Sequence, residues 1–259
     1  MGNYCEVHKL GILPYDQAWK LQQRLAAEIA AGKRPPTLLL LQHPHTYTFG
    51  RRGNPDNLLW DGEELTRRRI SVHWVDRGGD VTYHGPGQLV GYPLIPLAAG
   101  GLMVQNSERA AGKESTRLPQ ADYLGYIRKL ERSLISALAR LGVASGQLNG
   151  LTGVWVQPHV PSRCLRCPPE LRSSPAKIAA IGLKVDVKGI SRHGFALNIN
   201  PDMSYWEGIV GCGLGDYPVT CLADLLYPLP ALDTVMNVVA ESFGRVLDYE
   251  MIMKPLEIR

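Results

Sequence analysis

The sequence predicts an α/β (α+β) fold in which a mixed β-sheet is flanked by helices. Strand-like segments occur in clusters with helical segments between them, the order expected of a sheet covered by helices. The chain has 259 residues, of which 45% are hydrophobic and 20% charged, as is ordinary for a globular protein with a full core. No composition shift marks a boundary and no internal repeat is visible. We therefore expect a single domain over residues 1–259.

The first half of the chain alternates between strands and helices. Residues 5–10 predict a strand, and Asp16 is expected to cap a helix whose apolar residues recur at intervals of three and four until Gly32. The apolar run at 37–42 is bounded by prolines and is typical of a buried strand. Next come a short helix at 62–69, a half-buried strand at 71–76 with Val72 and Trp74 on one face, and strands at 81–84 and 89–95.

The second half begins with the longest predicted helix, from Asp122 to Gly142. Its periodicity assigns Leu124, Ile127, Leu134, Leu138 and Leu141 to the buried face, and Arg128, Lys129, Glu131 and Arg132 to water. Strands are expected near 153–156, 177–185 and 195–200, and helical stretches at 221–226 and 232–246. We interpret about 98–121 and 157–175 as possible inserts.

Composition excludes several classes of function. A formal charge of +4 is too small to indicate nucleic-acid binding, and the basic runs are short. The longest apolar run, at 38–41, cannot span a bilayer. The N-terminal residues lack the features of a signal peptide or presequence. We expect a cytoplasmic protein that binds neither nucleic acid nor membrane.

The five cysteines do not form a disulfide framework. Cys164 and Cys167 form a C-x-x-C pair with His159 upstream, but a structural zinc site normally needs four ligands and no second pair exists. We expect a surface loop with two free thiols rather than a metal site.

A glycine-rich stretch at 78–88 is the most informative segment. Five of its residues are glycine or proline and surround a short strand-like fragment at 81–84. Glycine permits close backbone approach, so such a segment suits a pocket wall where backbone groups meet a ligand. Taken alone, it is equally compatible with a β-hairpin that has an elaborate turn.

Three further blocks follow this stretch, at 176–182, 192–198 and 211–213. The four blocks, in this order and spacing, resemble the lipoyl(octanoyl) transferase family. The resemblance runs from about Val7 to Phe243. It implies the fold of biotin and lipoate protein ligases, and transfer of an octanoyl or lipoyl group from acyl carrier protein to a specific lysine of lipoate-dependent enzyme domains, the first step in assembling the cofactor on protein.

The resemblance implies a catalytic pair, Cys212 and Lys177. Cys212 lies between two glycines that leave its sulfur accessible. A cysteine nucleophile reacts as the thiolate, which a nearby cation stabilises. Alternatively, Cys212 is a small buried residue and Lys177 a strand-end lysine whose ammonium reaches water. Cys221 is a second candidate thiol, because a helix capped by Thr220 would place it in the first turn, where the helix dipole favours a thiolate.

The resemblance also assigns a substrate pocket. Small residues there would leave a narrow apolar slot for an acyl chain. His84 and His193 each precede a glycine, and one of them is expected to orient the acyl carbonyl or to move protons. The substrate-binding residues by this match are Arg77, Gly78, Gly79, Asp80, Val81, Thr82, Tyr83, His84, Ala180, Ile181, Gly182, Gly194, Phe195 and Ala196, with His193 as an accessory residue.

Cofactors and partners follow from the same resemblance. The acyl donor is carried on the phosphopantetheine of acyl carrier protein, so no separate cofactor and no metal are expected. The expected acceptors are lipoyl domains of 2-oxoacid dehydrogenase E2 subunits and the glycine cleavage H protein.

The chain departs from the family pattern at Gly211, where the family usually has proline before the nucleophile. Three other functions remain open. An ATP-dependent lipoate or biotin ligase on the same fold would not need Cys212. A Cys-His hydrolase would release free fatty acid, and a binding module for acyl carrier protein would form no adduct.

Overall fold

A mixed sheet of eight strands forms the centre of the part of the molecule that the structure describes. The structure is a computed structural model that describes residues 3–97, 122–158, 173–211 and 217–256. The strand order of the eight-stranded sheet is β11-β1-β2-β6-β10-β9-β8-β7. Strand β1 is parallel to both β2 and β11, and the other neighbouring strands are antiparallel. The strands are β1 (Tyr4–Ile12), β2 (Thr37–Gln42), β6 (Gln88–Leu94), β7 (Gly146–Leu148), β8 (Leu151–Val156), β9 (Ala176–Val185), β10 (Ser191–Asn198) and β11 (Glu250–Met253).

Helices cover both faces of this sheet. Helix α1 (Tyr15–Ala30) packs its buried residues against one face, where Leu39 and Leu41 of β2 point. Helices α3 (Tyr123–Arg140) and α4 (Leu232–Leu247) pack together on the other face, against Leu38 and Leu40. Successive strand residues point to opposite faces, so the continuous apolar run of β2 fills both cores. The sequence-based prediction of a mixed sheet flanked by helices is confirmed.

A smaller sheet lies over one end of the large one. Its order is β4-β3-β5, formed by β3 (Thr46–Phe49), β4 (Ser71–Trp74) and β5 (Val81–His84). It encloses a third core with Tyr47, Phe49 and Tyr83. The short helix α2 (Gly62–Arg67) precedes β4 and is capped by Asp61, whose carboxylate accepts from the Glu64 N–H at 2.9 Å. This sheet carries the glycine-rich segment to the face of the large sheet.

Several element boundaries differ from the prediction. Helix α1 begins at Tyr15 after Pro14, so Asp16 lies in the first turn and does not cap the helix. The predicted strand at 71–76 ends at Trp74, which is exposed on the edge strand and stacks on Phe49. Strands β3, β7 and β11 were not predicted, because each is too short to show a period of two. The possible inserts lie mostly outside the described residues.

The buried face of α3 was partly assigned wrongly. Leu124 is 64% exposed, whereas Glu131, expected in water, has no exposed surface. One Glu131 carboxylate oxygen accepts from the Gly153 N–H at 3.0 Å, and the other accepts from the Gln147 amide and the Arg128 guanidinium, both at 2.7 Å. Periodicity could not reveal this, because the carboxylate is buried by partners distant in sequence. Glu131 thereby ties α3 to the start of β8.

None of the helices in the described ranges has the length and apolar character needed to cross a membrane.

We expect Glu131→Ala to lower the free energy of unfolding by about 1–3 kcal/mol, because it leaves the buried Gly153 N–H and the Gln147 amide without their acceptor. Urea unfolding measures the change. Arg132→Ala is the matched control, because Arg132 is exposed on the same helix turn, and its effect should stay within about 0.5 kcal/mol. Equal effects of the two substitutions would contradict the structural role of Glu131.

Candidate active site

A narrow slot lies between the large sheet and the segment that leads into β5. Three neighbouring strands of the large sheet, β6, β10 and β9, form one wall, while residues 77–79 and two side chains of β5 form the other. The lining residues are Tyr15, Arg77, Gly78, Gly79, Thr82, His84, Val90, Tyr92, Ala180, Ile181, Gly182, His193, Gly194, Phe195 and Ala196. Most of the lining is carbon, which suits an apolar chain.

Two paired glycines give the slot its room. Gly182 of β9 lies opposite Gly194 of β10 in the sheet. A Cβ at Gly182 would lie 3.1 Å from Arg77 Cδ and 3.2 Å from the Gly78 carbonyl oxygen, both on the opposite wall. A Cβ at Gly194 would lie 2.1 Å from the Gly91 carbonyl oxygen. A side chain at either position would therefore displace the slot's own walls.

Arg77 supports the wall that faces the sheet. Its buried guanidinium donates to the Thr48 carbonyl at 2.5 Å, to the Thr48 hydroxyl at 2.9 Å and to the Gly78 carbonyl at 2.9 Å. These bonds join the glycine turn to β3. Next to this wall, the Thr82 hydroxyl is buried and has no hydrogen-bond partner among the described residues. It is available to a polar atom of a ligand in the slot.

Asp76 holds His193 at the edge of the slot. Its carboxylate accepts from His193 Nε2 at 2.7 Å, from Lys184 Nζ at 2.5 Å and from the Arg192 guanidinium at 2.9 Å. The His193 hydrogen bond, with help from the two cations, holds the Asp76 pKa well below its usual range. Burial lowers the His193 pKa, although the Asp76 carboxylate opposes this. His193 is therefore neutral at pH 7, with Nδ1 facing the Tyr15 hydroxyl at 3.4 Å.

His84 begins a chain of hydrogen bonds that crosses the sheet. Its Nδ1 is 2.8 Å from Gln88 Oε1, and the Gln88 amide nitrogen donates to Asn198 Oδ1 at 2.9 Å. Asn198 in turn donates to the Thr220 carbonyl at 3.1 Å. Because an amide oxygen only accepts, this arrangement places the proton of neutral His84 on Nδ1. Burial lowers the His84 pKa well below its ordinary value, so the ring stays uncharged.

Lys177 lies in a small cavity beside the slot. The residue is 8% exposed, and its Nζ is 4.7 Å from the centre of the Trp155 ring, a cation–π distance. Lys177 therefore does not extend along the surface into water. The residues that line this cavity are Trp155, Lys177, Ala180, Trp206, Gly211, Tyr217 and Val219.

Both backbone groups of Lys177 bind the segment that follows residue 217. The Lys177 N–H donates to the Pro218 carbonyl at 2.8 Å, and the Thr220 N–H donates to the Lys177 carbonyl at 3.0 Å. Gly211 lies at the other side of the same cavity, where an added Cβ would be 3.1 Å from the Trp206 ring. Cys212 lies outside the described residues. Gly211 and Tyr217, the described residues on either side of it in the chain, both line the Lys177 cavity.

Cys5 and Cys221, the two cysteines that the structure describes, are unsuited to nucleophilic attack. Cys221 precedes a three-residue 3-10 helix, and its sulfur faces the Asp224 carboxylate at 3.3 Å. Burial and that carboxylate raise the Cys221 pKa to about 12, so the expected stabilisation of a thiolate by a helix start is wrong here. Burial also raises the pKa of Cys5 to about 12. Cys164 and Cys167 lie outside the described residues.

A wider cleft opens outside the slot and contains both acidic and basic side chains. It shares Gly78, Gly79, Ile181 and Gly182 with the slot and shares Lys177 with the small cavity. Arg51, Arg52 and Asp80 lie on its rim. Within the described residues, no group of three or more His, Cys, Asp and Glu side chains is arranged to hold a metal ion. Slot, cavity and cleft thus meet along β9.

Most of the substrate-binding residues expected from sequence line the slot, and so does His193. Three of them lie elsewhere. Asp80 accepts from the N–H groups of Asn54 and Val81 at the cleft, while Val81 and Tyr83 are buried in the core of the small sheet. Alternation along β5 explains this difference, because Thr82 and His84 face the slot.

Tyr15, Asp76, Val90 and Tyr92 were not expected at the site. Asp76 lies two residues before the glycine-rich stretch, which was a usable signal. Tyr15, Val90 and Tyr92 carried no such signal, because the fold brings them in from α1 and β6.

Comparison with known proteins identifies the class to which this fold and site belong. Residues 14–244 match the lipoyl protein ligase A/B catalytic domain, and the chain belongs to this family. The fold also matches a bipartite lipoate protein ligase of Thermoplasma acidophilum, with a TM-score of 0.64 and 14% identity over 99% of this chain and 88% of that one. A lipoate-protein ligase A bound with ATP gives a TM-score of 0.62 and 15% identity, over 99% and 90% of the two chains.

Curated relatives are more similar in sequence. An octanoyltransferase of Chloroflexus aurantiacus is 40% identical over 94% of each chain. An octanoyltransferase of Mycobacterium leprae is 39% identical over 94% of this chain and 88% of its own length.

The buried histidines predict how stability depends on pH. His43 donates from Nδ1 to the Leu13 carbonyl at 2.6 Å and accepts from the Tyr92 hydroxyl at 2.7 Å, and burial lowers its pKa to about 4. An unfolded chain protonates histidine near pH 6.5. Between about pH 6.5 and 4 the unfolded state therefore binds more protons, and stability falls as the pH decreases.

We expect His43→Gln to make this pH dependence shallower by about 1.4 kcal/mol per pH unit, the contribution of one proton. Urea unfolding at a series of pH values between 4.5 and 6.5 measures it. Tyr92→Phe removes the other partner of the same hydrogen bond and should leave the slope unchanged. An unchanged slope in His43→Gln would show that His43 is not neutral in the fold.

Proposed function

We propose that this protein transfers an octanoyl group from acyl carrier protein to a lysine of lipoyl domains, through an acyl thioester on Cys212. One observation carries the proposal: a buried lysine, Lys177, shares its cavity with Gly211, which directly precedes Cys212, and this cavity adjoins an apolar slot. The relatives named octanoyltransferase, at about 40% identity over nearly the whole chain, support the same reaction and the class of acyltransferase.

The first half-reaction exchanges one thioester for another. The Cys212 thiolate attacks the carbonyl carbon of the octanoyl thioester on the carrier's phosphopantetheine. A bond from carbon to Cys212 sulfur forms, the bond to the carrier sulfur breaks, and the leaving thiolate takes a proton from the Lys177 ammonium, so the carrier departs as a thiol and Lys177 is left as an amine. In this proposal the Lys177 ammonium stabilises the Cys212 thiolate and so supplies the nucleophile. The acyl chain occupies the slot.

The second half-reaction forms an amide. The acceptor lysine must be an uncharged amine to attack, so it needs a base or a desolvating site. The amine attacks the thioester carbonyl, its proton passes to a base, and the Cys212 thiolate leaves. Lys177 can take that proton, because the first half-reaction leaves it as an amine, and it is then an ammonium again beside the released thiolate. Because an amide is more stable than a thioester, this step drives the overall transfer.

The slot contributes orientation and binding energy. Each methylene group transferred from water into an apolar site contributes about 0.8 kcal/mol. The neutral rings of His84 and His193 line the slot without placing a charge beside the chain. His193, held by Asp76, lines the slot, and we propose it as the accessory residue that orients the acyl group or moves a proton.

The acceptors that we propose are the lipoyl domains of 2-oxoacid dehydrogenase E2 subunits and the glycine cleavage H protein. No ATP is required, because the donor thioester already carries the activation energy. An ATP-dependent ligase remains the alternative function, since lipoate ligases share this fold.

We expect the intact mass of the protein to rise by one octanoyl group after it is mixed with octanoylated acyl carrier protein, with the adduct on Cys212 by peptide mapping. Cys212→Ala should abolish the adduct. Cys221→Ala is the matched control and should retain it, because the raised pKa of the Cys221 thiol makes that residue unreactive.

Lys177→Met extends this test, since it removes the cation that stabilises the thiolate and should slow adduct formation by a factor of about 10² or more. An adduct mapped to Cys221, or an unchanged rate in Lys177→Met, would contradict the assigned pair.

A further inference from the structure

We propose that Tyr15 and Tyr92 close the inner end of the slot and thereby set the length of the acyl chain that the enzyme accepts. This inference rests on the proposed acyl transfer and assigns its length specificity to two residues that no motif of the sequence contains. It follows from the direction of the slot, its length and the way in which its end wall is held.

The shared residues define which end of the slot is open. Gly78, Gly79, Ile181 and Gly182 line both the slot and the outer cleft, and Ala180 lines both the slot and the Lys177 cavity. These residues form the mouth, on the side of β9.

The opposite end is closed by residues that line the slot and neither neighbouring space. Among these, Tyr15, Val90 and Tyr92 come from α1 and β6, on the side opposite β9 in the strand order, and all three are nearly inaccessible to solvent. An acyl chain whose carbonyl lies near Lys177 must therefore extend toward Tyr15 and Tyr92.

The slot crosses neighbouring strands of the large sheet. It runs from β9 over β10 to β6, which are consecutive in the strand order. Two strand spacings amount to about 10 Å. This distance is comparable to the extended length of an eight-carbon acyl chain. Sheet geometry therefore fixes the distance between the mouth and the end wall of the slot. The rings of Tyr15 and Tyr92 determine how far an acyl chain can enter.

The end wall is rigid because Tyr15 is held on several sides. Its ring centre is 5.1 Å from that of His43 and 5.9 Å from that of His84, on which it stacks. Its hydroxyl is hydrogen bonded to Tyr92 and lies 3.4 Å from His193 Nδ1. Just before α1, the Leu13 carbonyl accepts from His43 and the Leu13 N–H donates to the Gln42 carbonyl at 2.9 Å. The start of the helix therefore cannot withdraw without breaking these bonds.

The chemistry of the wall suits a methyl end group. The Tyr92 hydroxyl is bonded to His43 at 2.7 Å. The Tyr92 hydroxyl thus donates to neutral His43, and the Tyr15 proton is shared between the Tyr92 oxygen and Nδ1 of neutral His193. What remains for a ligand is the aromatic surface of the rings, against which an apolar chain end packs without leaving a polar group unpaired.

The test is competition between acyl carriers loaded with six-, eight-, ten- and twelve-carbon chains, read by the mass of the acyl-enzyme. We expect the wild type to select eight carbons. Tyr15→Ala should raise the ratio of ten- to eight-carbon adduct by a factor of about 10, since two further methylenes become buried. Tyr15→Phe keeps the ring and should preserve the wild-type ratio.

Ala196→Leu is the opposite change to the same slot. The larger side chain fills part of the slot and should shift the preferred acyl chain from eight carbons to six. Tyr126→Ala is the matched control: Tyr126 is fully buried in α3 and does not line the slot, so its loss should leave all ratios unchanged.

The outcomes separate the two proposals. A wild type that takes no acyl group from any carrier overturns the transfer function and the length assignment together. A wild type that is octanoylated, with unchanged ratios in Tyr15→Ala and Ala196→Leu, overturns the length assignment alone. If Tyr15→Ala does not fold, an unchanged ratio in folded Ala196→Leu is sufficient to overturn it.

Discussion

The site depends on the two backbone hydrogen bonds that join Lys177 to residues 218–220. Pairing between β9 and β10 begins only at Ala179. At Lys177, two residues earlier in β9, the backbone groups pair with residues 218–220 instead. The strand that carries the lysine is thereby tied to the segment that follows residue 217. Gly211 reaches the same cavity from the other direction. Two distant parts of the chain therefore meet at one lysine, and the slot opens beside it.

The second constraint is that the slot must remain narrow and mostly apolar. Gly182 lets the two walls approach closely, Gly194 lets β10 approach β6 within the sheet, and Arg77 holds the outer wall through bonds to Thr48. Asp76, whose carboxylate lies at the slot edge, is paired with Lys184, Arg192 and His193. Neutral histidines then leave an apolar interior beside a cleft that contains charges of both signs.

Sequence reasoning succeeded where a local pattern reports a local structure. The apolar run of β2 and the glycine-rich blocks at the slot could be interpreted directly, because composition and steric freedom are properties of a few adjacent residues. It failed where burial depends on a distant partner. Glu131 is buried because Gly153 and Gln147 donate to it, and Tyr15 reaches the slot because α1 begins one residue after Pro14. The Cys221 thiol was misjudged for the same reason, because the Asp224 carboxylate reverses the expected effect of a helix start.

The central claim is that the acyl group passes through the protein as a thioester, with no further activation. The most direct test isolates the octanoylated protein from its carrier, adds an unmodified lipoyl domain without nucleotide, and records the intact mass of the domain. The account predicts that the domain gains one octanoyl group while the enzyme returns to its original mass. Transfer that occurs only with free octanoate and ATP would contradict it.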